Sequence, residues 1–203
     1  MGNININGGK ISIYSNDDGI HADGVLTISD GIIDITKSYE GLEGLQVIIN
    51  NGDISIVSSD DGINSTATSG QGIVIDGGNL YILAGGDGLD SNSRTAYSGI
   101  VFKGGKTVVI STSGGNSAID TEAGYTYTSG SVLAILPNGG MTSEATYCSN
   151  FSSVAKKISM SLSSGKTLTV SVSNSAILSV KIPCNLSAIV IYLGSTSANI
   201  SLN

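Results

Sequence analysis

The chain has 203 residues, of which 28 are glycine and only 12% are charged, and its net charge is −7. Residues 1–90 contain thirteen acidic side chains against two lysines, whereas residues 91–203 contain three against seven bases. Such an acidic chain argues against a nucleic acid partner, and the lack of a long apolar run argues against membrane insertion. The shortage of helix-forming residues predicts an all-β protein.

A short motif that begins with glycine recurs along the chain. Its four clearest copies occupy residues 9–21, 31–43, 52–64 and 78–90, a fifth begins at Gly105, and a degenerate sixth begins at Gly130. The leading glycines are 22, 21, 26, 27 and 25 residues apart. This period suits one turn of a β-solenoid.

Each period contains three strand signals, as in the first copy, where Ile11 and Ile13 alternate, Ile20 stands alone, and Leu26 and Ile28 alternate again. Alternation places these residues inward and the polar residues between them outward. The pattern predicts a right-handed parallel β-helix with three strands per turn over residues 1–140. An antiparallel sandwich would also alternate, but it would not require one motif at a near-constant offset.

Residues 141–203 depart from the period and predict alternating strands separated by Ser-Gly and Ser-Asn turns. Because a solenoid needs its open end covered, we expect this segment to form a β-rich C-terminal cap or subdomain. Cys148 and Cys184 both lie in it, and their spacing leaves a disulfide between them open.

Stacking the repeats in register places acidic residues at one offset in four successive turns. The four are Asp18, Glu40, Asp61 and Asp87, with Asp17 and Asp60 beside them and Glu43, Asp90 and Asp120 three residues further along their own repeats. Adjacent strands are about 4.8 Å apart. Two unit charges at about 4 Å repel by about 1 kcal/mol in water and by several-fold more near a partly buried surface.

Calcium would relieve this repulsion, because it accepts six to eight oxygen ligands in a flexible geometry. The alternative is that the acids only cap turns and face water. The predicted metal ligands are Asp17, Asp18, Glu40, Glu43, Asp60, Asp61, Asp87 and Asp90. His21 shares an offset with acids, but we expect it to be solvated and leave it out. The glycines that follow the acids, such as Gly19 and Gly62, are expected to supply unusual backbone angles.

Residues 17–23, 39–43 and 60–64 resemble the calcium-binding, polysaccharide lyase-like β-helix proteins of cellulolytic clostridia, which are classed as a carbohydrate-binding domain. The resemblance implies calcium between the turns and binding of plant cell-wall polysaccharide, especially polygalacturonate, with cellulose as a second candidate. It also implies an extracellular or cell-surface location, although the first residues lack a signal-peptide pattern. The fourth repeat departs from the doubled acid, since Gly86 precedes Asp87.

The function favoured by these features is non-catalytic, calcium-dependent glycan binding, with calcium bridging the uronate carboxylates of an acidic polymer. Tyr39 and Tyr81 are predicted to lie under sugar rings, and Lys37 and Arg94 to pair with glycan carboxylates. One alternative is a polysaccharide lyase in which Lys37 or Arg94 removes a proton, although this part of the chain has few bases. Another is a structural surface adhesin. The particular polysaccharide and the oligomeric state stay open.

Overall fold

A computed structural model describes residues 2–203 and has three parallel β-faces that wind through about five turns. The predicted parallel β-helix is therefore confirmed. The first face consists of β2 (Lys10–Tyr14), β4 (Ile32–Ser38), β6 (Asp53–Ser58), β9 (Asn79–Ala84), β12 (Lys106–Ser111) and β15 (Ser131–Pro137).

The second and third faces form one sheet, because single long strands serve both faces in the early turns. These long strands are β3 (Ile20–Ile28) and β5 (Leu42–Ile49). Later turns contribute separate strands: β7 (Ile63–Ser65), β10 (Leu89–Ser91) and β13 (Ile119–Thr121) to the second face, and β8 (Ile73–Ile75), β11 (Ile100–Phe102) and β14 (Tyr125–Tyr127) to the third, where β1 (Ile4–Ile6) also pairs.

Inward side chains of like kind stack turn over turn in the interior. On the first face Ile35, Ile56 and Ile82 are in register and fully buried. On the second face Leu42 and Ile63 do the same. Burying each such side chain stabilises the fold by roughly 1.5–3 kcal/mol before ordering costs. The alternating sequence pattern thus becomes a continuous apolar core along the helix axis.

The leading glycine of each repeat forms the corner between the third and first faces. Gly31, Gly52, Gly78, Gly105 and Gly130 all have positive φ, as at Gly78, where φ is 81°. An L side chain is strained in that conformation. Backbone geometry therefore explains why each repeat begins with glycine.

A different constraint acts on Gly19, Gly41, Gly62 and Gly88, which follow the stacked acids at the corner between the first and second faces. None of them has positive φ, so the expectation of unusual backbone angles there is wrong. A Cβ on Gly62 would lie 2.3 Å from Ile82 Cγ2 and 2.5 Å from the carbonyl oxygen of Gly88. These positions need glycine because neighbouring turns pack too closely for a side chain.

The C-terminal segment packs on both the end and one side of the β-helix. Helices α1 (Thr142–Thr146) and α2 (Phe151–Val154) precede β16 (Ala155–Leu162), and β19 (Leu186–Leu193) pairs antiparallel with both β15 and β16. Strands β17 (Thr167–Val172), β18 (Ser175–Lys181) and β20 (Asn199–Leu202) form a separate antiparallel sheet, which we call the side sheet.

Two apolar clusters hold these parts together. One fills the helix interior and includes Ala145 and Leu193 from the C-terminal segment. The other lies between the outer surface of the first face and the side sheet, and joins Ile110 and Leu133 to Leu168. Cys148 and Cys184 are both free thiols. Among residues 2–203 no helix is long and apolar enough to cross a membrane.

We expect Gly62→Ala to lower the free energy of unfolding by about 2 kcal/mol, because the added methyl group must displace backbone in the next turn. Denaturant unfolding of the metal-free protein measures the change. Gly114→Ala is the matched control, since a Cβ there meets no atom within 4 Å. Equal stability of the two variants would contradict the packing explanation.

Candidate metal and carbohydrate site

Four of the predicted acids stack at the corner between the first and second faces, and we call them the acidic corner: Asp18, Glu40, Asp61 and Asp87. The glycine after each of the first three donates its backbone N–H to the carbonyl oxygen of the next acid along the helix axis. These bonds are Gly19 to Glu40 at 2.9 Å, Gly41 to Asp61 at 3.0 Å and Gly62 to Asp87 at 2.8 Å. Main-chain hydrogen bonding between turns therefore fixes the alignment of the acids.

A second column runs beside it on the second face, and we call it the second-face column. Strand register aligns its five members, which are His21, Glu43, Asn64, Asp90 and Asp120. Their side chains alternate with buried neighbours along each strand and so point outward. The acidic corner and the second-face column together form the acidic cluster.

Hydrogen bonds between turns orient several of these carboxylates. Asp61 Oδ1 accepts from the backbone N–H of Asp87 at 2.7 Å, and Asp87 Oδ1 accepts from that of Ser117 at 2.5 Å. The two carboxylate oxygens of Glu40 accept from Asn64 Nδ2 at 3.1 and 3.2 Å. Each carboxylate is thus held against the adjacent turn while neutral donors leave its charge uncancelled.

Burial and mutual repulsion make these acids unusually weak. Burial raises the pKa of Glu40 to about 7, and Glu43, Asp18 and Asp61 add to the shift. The pKa of Asp90 also rises to about 7 through burial, and Asp61 and Asp120 raise it further.

Three further acids of the cluster also have raised pKa values. The pKa of Asp87 rises to about 7, and the pKa values of Asp61 and Asp120 also rise, with burial as the main cause in each. Within residues 2–203, no lysine or arginine forms an ion pair with any member of the acidic cluster. The repulsion predicted from the sequence is therefore present without a lysine or arginine counter-charge.

At its N-terminal end the acidic cluster contains a histidine between two carboxylates. His21 Nδ1 lies 3.1 Å from Asp18 Oδ2 and 2.5 Å from Glu43 Oε2. The hydrogen bond with Asp18 raises the pKa of His21, and the negative charge of Glu43 adds to that increase. One ligand atom from each of the three residues lies within 4.8 Å of the others, a spacing that could hold a metal ion. His21 is exposed, as expected, but it also contacts two carboxylates, which the sequence did not predict.

Asn64 supplies an oxygen that has no hydrogen-bonding partner. Its Oδ1 atom is buried and receives no hydrogen bond among the described residues, while Nδ2 is directed to Glu40. Buried polar atoms almost always have a partner, so an unpaired oxygen beside carboxylates fits a cation ligand. Sequence reasoning left Asn64 and Asp120 out of the ligand set, although their offset in the repeat is the same as that of Glu43 and Asp90.

Two of the predicted ligands lie one position before the acidic corner. These are Asp17 and Asp60, and Tyr39 holds the same position in the turn between them. The Tyr39 backbone N–H donates to the carbonyl oxygen of Asp17, and its carbonyl oxygen accepts from the backbone N–H of Asp60, each at 3.0 Å. The Asp60 carboxylate raises the pKa of Tyr39 through a side-chain hydrogen bond. Asp17 is exposed, and neither acid belongs to the group around His21.

The structure separates the four predicted carbohydrate-binding residues. Tyr39 is 50% exposed beside the acidic corner. Lys37, near the same corner, donates its Nζ hydrogen to Asn16 Oδ1, and its Nζ lies 5.1 Å from the centre of the Tyr14 ring.

The other two lie elsewhere on the β-helix. Tyr81 is half-buried on the outer surface of the first face, next to the side sheet. Arg94 is exposed in the connection between β10 and β11, at the far edge of the second face. Only Tyr39 and Lys37 therefore stand beside the acidic corner.

We expect metal-free protein to lose stability as the pH rises from about 4 to about 7. Glu40 and Asp90 keep protons in the folded state that they release at lower pH when unfolded, because their ordinary pKa values are 4.5 and 3.8. His21, whose pKa is also raised, loses its stabilising charge as the pH rises further. Thermal melting in excess chelator across this range measures the effect.

Asp90→Asn should flatten this pH dependence and raise the melting temperature at about pH 8 by roughly 2–4 °C, because it removes one destabilising charge. Asp34→Asn on the first face is the control, and we expect its pH profile to match that of the unchanged protein. A melting temperature that stays constant or rises over the same pH range would contradict the electrostatic description.

The comparisons with known proteins give one family. A family model described as a carbohydrate-binding domain-containing protein matches residues 1–72 and 44–191. No curated protein and no solved structure matches the chain. Because the matched residues span most of the chain, the chain belongs to this family of carbohydrate-binding domain-containing proteins.

Proposed function

We propose that this chain is a non-catalytic module that holds calcium in the acidic cluster and uses it to bind an acidic plant cell-wall glycan such as polygalacturonate. The observation that carries the proposal is the cluster itself. Glu40, Asp87 and Asp90 have pKa values raised to about 7 by burial and repulsion. No basic side chain forms an ion pair with them in the described part of the chain. Such a surface needs a cation or bound protons at neutral pH.

The available ligand atoms favour calcium over other metals. The acidic corner supplies carboxylate oxygens, and Asn64 supplies an amide oxygen that lacks a partner. Calcium takes many oxygen ligands at flexible distances, whereas magnesium requires a tighter octahedron. Zinc prefers nitrogen and sulfur, and His21 is the single such ligand in the cluster. The cluster offers two groups of ligands for calcium. The first would be Glu40, Asp61, Asp87, Asp90 and Asn64. The second, at the N-terminal end, would be Asp18, His21 and Glu43.

A bound divalent cation would reverse the sign of the local potential and could accept uronate oxygens from a glycan. This resolves the conflict between an acidic protein and an acidic polymer. Tyr39 stands exposed beside the acidic corner, where its ring could pack against a sugar. Lys37 is engaged by Asn16 and Tyr14, so its role with glycan carboxylates would require it to leave these partners.

The placement of the bases offers little support to a polysaccharide lyase. β-Elimination needs a base within hydrogen-bonding reach of the substrate proton. Lys37 stands near one edge of the second face and Arg94 near the other, and arginine stays protonated in proteins. No structural feature specifically favours an adhesin that binds no glycan. The proposed extracellular or cell-surface location rests on the sequence resemblance.

Affinity electrophoresis through gels containing polygalacturonate tests this function. We expect retardation with calcium, loss of retardation with chelator, and no growth of ultraviolet absorbance from unsaturated ends in solution. Asp90→Asn should require a roughly tenfold higher calcium concentration for the same retardation, because it removes one charged ligand. Asp34→Asn, outside the cluster, should behave as the unchanged protein. Equal retardation with calcium and with chelator would refute the bridging mechanism.

A further inference from the structure

A groove of about 530 Å³ lies on the first face, away from the acidic cluster. Its floor is the outer surface of β4, β6, β9 and β12, and its wall is β18 of the side sheet. The outward-facing residues of the first face change from polar to apolar along the helix axis. Asp34 and Ser55 align with Tyr81, and the column continues to Val108 and Leu133. The side sheet covers the apolar end of this column, so the groove forms where that cover stops.

The groove combines an apolar floor with a polar rim. Tyr81 and Val108 contribute to the floor, Leu178 and Val180 to the wall, and Ile32 is 50% exposed at the groove. Such exposure of a large aliphatic side chain on a regular strand leaves an unpaired apolar contact surface. Sugars have a matching character, since their rings present C–H surfaces and their edges present hydroxyl groups. An aromatic ring with surrounding polar groups suits that combination.

The charges of the groove cancel. Lys10 and Lys106 line the groove together with Asp34 and Asp53, in a chain whose net charge is −7. None of these four residues forms an ion pair within residues 2–203. Asp53 instead accepts a hydrogen bond from Asn79 Nδ2 at 2.7 Å. The groove therefore has free donors and acceptors but no net charge that would attract or repel a charged polymer.

We propose that this groove is a second glycan-binding site, which takes an uncharged glycan chain and needs no calcium. The proposal rests on the proposed carbohydrate-binding function, but it does not depend on the calcium bridge. Tyr81 and Ile32 contact the C–H faces of the sugar rings, and the side chains of Lys10, Lys106 and Asp34 bind hydroxyl groups. The two sites then sort glycans by charge, with uronate-rich chains at the acidic cluster and uncharged chains at the groove.

Calorimetric titration with β-1,4-linked hexasaccharides of glucose, mannose and xylose, all in excess chelator, tests the proposal. We expect at least one of them to bind. Tyr81→Ala should weaken that binding about tenfold, as expected for loss of one aromatic contact. Tyr81 also packs against the apolar residues beneath the side sheet, so its replacement could alter the fold. Ile32→Asp therefore provides a second variant at an exposed position, and it should weaken binding at least as much.

The controls separate this site from the acidic cluster. Tyr39→Ala replaces an exposed tyrosine outside the groove, and Asp90→Asn alters the cluster, so neither should change hexasaccharide binding. Failure of all three hexasaccharides to bind, or binding that is unchanged in both groove variants, would overturn the proposal. If polygalacturonate retards the protein equally with calcium and with chelator, the bridging function is refuted, but the hexasaccharide result still stands.

Discussion

The in-register stacking of successive turns is the constraint on which the other features of this protein depend. Backbone hydrogen bonds between parallel strands place each residue about 4.8 Å from its counterpart in the next turn. Like residues therefore meet like residues: Ile56 lies over Ile35 in the core, and Asp90 aligns with Asp120 on the surface. In the interior this repetition makes a continuous apolar column, whereas on the surface it concentrates charge.

The fold tolerates this concentration of charge because backbone hydrogen bonds and glycine packing, rather than ion pairs, hold the acidic corner. Gly62 leaves room for the adjacent turn, and peptide N–H groups bind the carboxylates of Asp61 and Asp87. These donors orient the acids but do not neutralise them, and burial raises the pKa of Asp87 to about 7 even though the hydrogen bond from Ser117 N–H opposes the shift. The fold thus preorganises an oxygen-rich surface whose electrostatic energy a cation would lower. An acidic surface of this kind is a direct consequence of repetition.

The repeats made the architecture and the acidic corner predictable from the sequence, because both depend on period and offset alone. Prediction failed where three-dimensional packing decides. The glycines after the acids have negative φ values and are required because the next turn packs against them. The spacing of residues in the sequence does not reveal such a contact. The contact between His21 and Glu43 was not predicted because it crosses turns. The groove beside Tyr81 exists because the side sheet packs on the first face, and the irregular C-terminal sequence carries no signal of that side-on packing.

The central claim is that the weak acids of the acidic cluster bind calcium, and proton release during calcium binding tests it most directly. Carboxyl groups with pKa values of about 7 are partly protonated at neutral pH and must lose those protons to bind a metal. Calorimetric calcium titrations at pH 7 in buffers of different ionisation enthalpy should give heats that depend on the buffer, and this dependence should vanish at about pH 9. The absence of any calcium-linked heat, or heats at pH 7 that are independent of the buffer, would contradict the account.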